Sequence, residues 1–423
     1  MKSIIYLKYI KLFLLYVLPI SIILGQSEFN LIIFFTAFVF LLDLFLKNEK
    51  NNFYKDEIFL CFLSFSLFIF FYSIFLSDAN VKQLSKSIAI LISAVFIYAL
   101  GNSFKSLDKR DMLYLLLFYF FINIFIYLDL IFQFWNPNFK DIFGFQVDTL
   151  RSYNIFGNER YLPLRLSGPF NEELVPGFYL STFGSIAIFL TYFKTTLRQK
   201  NILLLYFLLF INFFFVIFTG ERSSSIISFL ILVIFIFYFE KNILKNIFYL
   251  LILILSVILI IKLNPATGER VKDIFFWLSE ENGGFGGFFS TQWGKHYLIS
   301  FEIFKDHIFI GSGIRSFREI CPSYEIELSI VNGCTTHPHN YLLEILSETG
   351  LLGAFIFLII FYFICKKNLS SERNTLSIAL LIVLFSYLFP LRPTGAIFSS
   401  WHGGFLYILI GFNLFFLKNK NHA

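Results

Sequence analysis

Thr336-His337-Pro338-His339-Asn340-Tyr341-Leu342-Leu343-Glu344-Ile345-Leu346-Ser347-Glu348-Thr349-Gly350-Leu351-Leu352-Gly353 is the stretch that decides the reading of this chain. Asn340 is a good N-cap, and after it Leu342, Leu343, Ile345 and Leu346 alternate with Glu344, Ser347 and Glu348 at helical spacing. The pattern predicts a short interfacial helix that turns at Gly350 into an apolar run, 351–365, which must borrow from the preceding helix to cross a bilayer. A polar loop therefore re-enters a membrane here, with two histidines one residue apart at the amino end of a helix. That end offers free N–H groups and a partial positive charge to an anion. An imidazole of ordinary pKa, about 6.5, can take a proton beside it at neutral pH. The plainer alternative has both rings merely capping or packing a loop.

Outward from this stretch, apolar runs recur near 9–25, 29–46, 57–76, 86–102, 112–134, 174–193, 201–218, 223–239, 244–262, 375–391 and 401–417. With 57% hydrophobic and 15% charged residues and a mean hydropathy of +0.74, the fold class is an all-α polytopic membrane protein of about twelve transmembrane helices. The order is five helices (1–134), a first outer loop (135–173), four helices (174–262), a large outer loop (263–350) and three helices with a tail (351–423). Lys and Arg gather at the amino terminus, in loops 47–56, 103–111, 194–200, 240–245 and 366–374, and in the tail, whereas the short loops between them are nearly bare. That asymmetry predicts cytoplasmic termini, with both long loops on the far, periplasmic side. No cleavable signal peptide is expected, because Lys2, Lys8 and Lys11 precede or enter a first apolar run that lacks a small-residue cleavage site.

Composition also removes some function classes. The net charge of +6 is spread over short loops and forms no basic face, so nucleic acid is not an expected partner. Asn282-Gly283-Gly284-Phe285-Gly286-Gly287 reads as a flexible hinge and lacks the context of a phosphate-binding glycine loop. Residues 295–309 read as an amphipathic helix. Cys61 and Cys365 lie in apolar runs, whereas Cys321 and Cys334 share the large outer loop, where a disulfide is plausible. No metal or cofactor is expected, since His337 and His339 lack a third ligand at clear spacing.

Five arginines of the outer side stand out by their context. Arg165 ends the first long loop, and Arg222 occupies a tight turn, Thr219-Gly220-Glu221-Arg222-Ser223. Arg315 and Arg318 follow Gly311-Ser312-Gly313, and Arg392 lies between the last two runs. Each alone reads most simply as a solvated interfacial residue. Together they suit another task, holding a diphosphate bidentately and stabilising the charge it gains on leaving, while an imidazole deprotonates an attacking hydroxyl. Those two requirements describe glycosyl transfer from a lipid diphosphate donor.

These residues resemble the O-antigen ligase and O-antigen polymerase superfamily of bacterial envelope glycosyltransferases. His339-Asn340, nine residues, then Gly350-Leu351-Leu352-Gly353 fit the ligase pattern without a gap. Arg165-Leu166-Ser167-Gly168 and Thr219-Gly220-Glu221-Arg222-Ser223 look like its arginine motifs, and Phe309-Ile310-Gly311-Ser312-Gly313 is similar to the segment ahead of its histidine loop. The resemblance implies a GT-C-type fold in the bacterial inner membrane and a periplasmic active site. It implies transfer of a glycan from undecaprenyl diphosphate to lipid A core or another acceptor, among membrane lipids. By the resemblance His339 is the base, with His337, across Pro338, able to share or replace it in the role. Arg165 and Arg222 contact the donor diphosphate with Arg315 and Arg392 as weaker additions, and Asn340, Gly350 and Gly353 position the helix.

A polymerase of the same superfamily differs only in its acceptor and stays open, as does transfer to protein. A lipid-linked glycan flippase or other transporter would be expected to carry charges through its spans, which here hold few beyond Asp43 and Asp129. A membrane scaffold without catalysis would leave the histidines and outer arginines without a purpose.

Overall fold

The structure is a computed structural model and describes residues 2–47, 52–75, 81–153, 159–171, 175–194, 202–263, 268, 285–370, 375–390 and 392–415. Every apolar run forms a helix. The first nine are α1 (Lys2–Leu24), α2 (Gln26–Lys47), α3 (Glu57–Phe75), α4 (Val81–Lys105), α5 (Lys109–Trp135), α6 (Pro176–Lys194), α7 (Ile202–Phe218), α8 (Arg222–Phe239) and α9 (Ile243–Leu263). Two helices of the large loop follow, α10 (Gln292–Asp306) and α11 (Phe317–Glu327), and then α12 (Tyr341–Ser370), α13 (Thr375–Tyr387) and α14 (Ser400–Phe415). Among the described residues nine helices are long and apolar enough to cross a membrane, and α7, α13 and α14 are shorter apolar helices that complete twelve. The chain is an all-α polytopic membrane protein. Large apolar side chains such as Phe45, Phe75 and Phe121 point outward, as a lipid-facing surface requires.

Helix α6 differs from the rest. Its most apolar stretch has a mean hydropathy of 1.2 and is 94% buried, against 1.9–2.6 for the other eight long helices. It contains a π-helical segment, Leu180–Gly184, which frees carbonyls inside the bundle. Neighbouring asparagines satisfy them: Asn212 of α7 donates to the Leu180 carbonyl at 3.0 Å, and Asn123 of α5 donates to that of Gly184 at 3.0 Å.

The kink in α12 is built by two chain segments together. Gly350, at φ 63°, breaks the helix, and the backbone groups freed there are taken up by residues 308–313. The N–H groups of Leu351 and Leu352 donate to the carbonyls of Ile308 and Phe309, while those of Ser312 and Gly313 donate to Ser347 and Glu348. The backbones approach so closely that a Cβ on Gly350 would lie 2.5 Å from the Gly311 nitrogen, so a side chain there has no room.

Three expectations change. The first long loop carries a two-stranded antiparallel hairpin, β1 (Thr149–Tyr153) with β2 (Glu159–Pro163), outside an all-helical description. The amphipathic helix begins at Gln292 rather than residue 295 because the Thr291 hydroxyl caps it, accepting from the Gly294 N–H at 3.1 Å. The glycine-rich hinge lies partly outside the described residues, and its described end, Phe285–Phe288, is a helical turn.

Charged pairs mark the face opposite the long loops. Lys11 pairs with Asp43 and donates to the Asn102 side chain at 2.6 Å. Lys367 pairs with Asp56, which also accepts from Tyr98 at 2.5 Å.

Candidate active site

The site begins at α12. The Asn340 side chain caps it, accepting from the Leu343 N–H at 3.1 Å, and donates to the Pro390 carbonyl at 2.6 Å. The histidine loop is thereby tied to the connection between α13 and α14. A second tie runs through Thr394, whose N–H donates to the His339 carbonyl at 2.7 Å. The Thr394 carbonyl faces both imidazoles, His339 Nδ1 at 3.0 Å and His337 Nε2 at 3.3 Å.

A carbonyl can only accept, so it fixes each tautomer. His339 carries its proton on Nδ1 and keeps the Nε2 lone pair, whose nearest polar contact is the Thr335 hydroxyl at 3.4 Å. His337 carries its proton on Nε2, and its Nδ1 accepts from the Thr336 hydroxyl at 2.9 Å. The geometry thus separates two rings between which the resemblance favoured His339, and it puts the accessible lone pair on that ring. His339 also sits in the left-handed region at φ 57°, a strain of about 1–3 kcal/mol held by its surroundings. Burial, then the neighbouring His337, pushes the His339 pKa down to about 3, and burial, then His402, pushes His337 down to about 4. Both rings are neutral at pH 7.

Sequence reasoning missed two further imidazoles. His296 of α10 stacks on His339 with centroids 5.4 Å apart, and Trp293 packs edge-on at 4.6 Å. His402 of α14 lines the same cavity. Of six histidines in the chain four gather here, and their scarcity in so apolar a chain was the available signal.

Arg165 and Arg222 are brought together by the tight turn. Gly220, at φ 77°, lies so near the first loop that a Cβ would sit 2.9 Å from the Leu164 carbonyl, and the Leu166 N–H donates to Thr219 at 3.0 Å. Glu221 anchors the turn to the amino end of α6, accepting from the N–H groups of Gly177 and Phe178 at 2.6 and 3.1 Å and from the Ser224 hydroxyl at 2.7 Å. Burial pushes its pKa up, and Arg165, 4.0 Å away, opposes the shift. Both arginines line a cavity of about 350 Å³ with His337, His339 and Trp293.

Two arginines stand differently. Arg392 borders this cavity, but it is buried and its donors are committed. Nε and Nη2 donate to the Tyr387 carbonyl at 3.1 and 2.6 Å, Nη1 donates to Ser223 Oγ at 2.9 Å, and the guanidinium lies over the rings of Tyr341 and Tyr387. Its assignment as a donor contact is corrected, because it joins α8 to the α13–α14 connection and has no fork to offer. Arg315 lines an adjoining cavity of about 370 Å³ with Arg318 and His337, and its N–H donates to Glu348 at 2.6 Å.

Of the residues expected to position the helix, Asn340 caps α12 and Gly350 bends it. Gly353 lies beyond the kink, where a Cβ would approach the Phe65 ring at 3.3 Å, so it serves packing of α12 on α3. Cys321 and Cys334 are joined in a disulfide with Cα atoms 5.7 Å apart. It lies in a small core with Ile299, Ile303 and Phe317, three residues before His337. Gly333, beside it, accepts from His296 Nδ1 at 2.6 Å.

Beneath the polar cavities, a groove of about 1160 Å³ lined almost wholly by apolar side chains runs between α8, α12 and α13, from Ile234 and Phe361 to Tyr341 and Pro390. Among the described residues no group of three or more His, Cys, Asp or Glu could hold a metal ion.

No curated protein matches the chain. Residues 205–358 match the family model described as O-antigen ligase, a range holding Arg222, Arg315, both loop histidines and the glycine kink, with Arg165, Thr394 and His402 outside it. The match covers rather more than a third of the chain and makes that stretch similar to the O-antigen ligase family.

Proposed function

We propose that this protein is an inverting glycosyltransferase that moves a glycan from undecaprenyl diphosphate to lipid A core or a related acceptor. It would act on the periplasmic side of the bacterial inner membrane, with both termini cytoplasmic. The observation that carries the reading is the His339 imidazole, whose proton is held on Nδ1 by a backbone carbonyl while Nε2 keeps its lone pair in a cavity shared with two arginines.

The acceptor hydroxyl gives its proton to His339 Nε2 as its oxygen bonds to the anomeric carbon. The bond from that carbon to the donor diphosphate breaks on the opposite face, and the electron pair leaves with the diphosphate, whose added charge Arg165 and Arg222 stabilise. The imidazolium then returns its proton to the departing diphosphate or to water. By itself His339 is a weak base, held down by burial and a neighbouring ring. An arriving diphosphate places negative charge beside it and raises its pKa, so the base strengthens when the donor is bound. The apolar groove is lined in part by Tyr341, over which Arg392 lies, and suits the polyprenyl tail.

The test is the glycan profile of a deletion strain complemented with wild type, His339→Ala or Arg222→Ala at equal membrane levels. Normal-length glycan accumulating on undecaprenyl diphosphate, with none on lipid A, supports the ligase. Single repeat units on lipid A would make it a polymerase, and an unchanged profile with both variants would overturn the enzyme. Loss of activity on chelation, restored by a divalent cation, would overturn the role given to the arginines.

A further inference from the structure

The polar space does not end at the histidines. The Arg165–Arg222 cavity shares His337, Gly395 and His402 with the Arg315 cavity, and this in turn shares Gln26 and Trp401 with a third of about 640 Å³. The third is bounded by the α1–α2 turn, Phe143–Phe145, Phe170 and Asn171. Three compartments therefore adjoin in a row, from the arginines past the imidazoles to the outer turn of the first two helices.

The chemistry changes along the row. In place of arginines the far compartment offers Gln26, Ser27 and Asn171, one carboxylate at Glu28, and the ring of Trp401 at the junction. Trp401 is only 8% exposed, wedged against Phe178 and Phe405, and its indole N–H is buried without an acceptor among the described residues. His402 Nδ1 is likewise buried without a partner. Buried polar groups are normally satisfied, so the unpaired indole N–H of a residue that lines two of the compartments leaves a hydrogen bond for a ligand oxygen to complete. An aromatic face beside amides and hydroxyls that both donate and accept fits a sugar ring, which has an apolar face and hydroxyls around its edge. A lipid tail would need the apolar lining of the groove beside α12, and a second diphosphate would need cations.

We propose that this row is an extended glycan-binding groove, with saccharide units beyond the reacting one lying over Trp401 and against Gln26 and Asn171. The proposal rests on the glycosyltransferase reading. The saccharide can belong to the donor or to the acceptor, which share this chemistry.

The experiment uses the full-length protein in proteoliposomes, with donors and acceptors each supplied in short and long forms and crossed. Gln26→Trp fills the junction from an exposed position at the start of α2, and Trp401→Phe keeps the ring while removing the N–H. Gln26→Trp should lower kcat/KM by about tenfold with a long chain and by about twofold or less when both chains are short, with Trp401→Phe in the same direction and smaller. Dependence on donor length assigns the groove to the donor glycan, and dependence on acceptor length to the acceptor. Equal loss for long and short chains, or none, would overturn the groove while leaving the transfer reaction standing. Failure of the wild type to move any glycan would overturn the transferase reading and the groove with it.

Discussion

The two faces of this bundle use carboxylates in opposite ways. Opposite the long loops, Asp43 and Asp56 pair with Lys11 and Lys367. On the loop-bearing face, three buried glutamates each grip two backbone N–H groups. Glu221 holds Gly177 and Phe178, Glu344 holds Ile397 and Phe398, and Glu348 holds Arg315 and Phe317. The first device neutralises charge within the protein. The second spends the carboxylates on fixing loops, so that α8, the α13–α14 connection and residues 311–317 are pinned around the cavity that the arginines and imidazoles line. Of the three, Glu221 also lies 4.0 Å from Arg165; keeping such contacts few suits a site for an anion, because each carboxylate that saturates a guanidinium competes with the ligand for it.

The contrast can be broken most directly at the base. His339→Ala should lower transfer by about 10²–10⁴-fold at unchanged membrane abundance, with His337→Ala well behind; equal losses would mean the two rings share the proton. Arg222→Ala should cost about 10²–10³-fold in kcat, with partial recovery in Arg222→Lys, which restores charge but not the fork. Glu348→Ala leaves the two N–H groups of the 311–317 segment without their acceptor. It should lower the unfolding free energy by about 1–3 kcal/mol per buried group, read as a drop in Tm, together with a rise in KM.

A pH profile sharpens the comparison next. As the proposed base His339 must be neutral to act, and its pKa is depressed to about 3, so kcat/KM should stay within about twofold between pH 7 and 5, where an unshifted imidazole would lose most of its neutral form. The acid limb of kcat should lie at higher pH than that of kcat/KM, because the bound diphosphate raises the base. A limb in kcat/KM near pH 6.5 would contradict the burial of the ring. The smallest effect belongs to the other face: Asp56→Asn should leave transfer per folded molecule unchanged and reduce only thermal stability.

The twelve spans were legible because a bilayer imposes length and hydropathy on local sequence. The cap at Asn340 and the turn at Gly350 were legible for the same local reason. The clamps were not, since Glu344 reaches residues 397–398 and His339 reaches Thr394, pairings that no local pattern encodes. Arg392 misled because an arginine in an outer loop looks available until the carbonyl of Tyr387 is seen taking two of its donors. His402 escaped because it lies in an apolar helix with no motif around it, and β1 and β2 escaped because, among the described residues, they pair with each other alone.

Helix α6 has a consequence for biogenesis. With its polar Ser181, Thr182, Ser185 and Thr191 turned into the bundle and its π segment completed by asparagines of α5 and α7, it partitions into lipid less readily than its neighbours. Its settled place therefore depends on helices made before and after it, and the amino end it offers to Glu221 is set only once α7 and α8 have entered the membrane. Maturation of the pocket is thus a late event in synthesis, timed by the arrival of protein partners rather than by the bilayer itself.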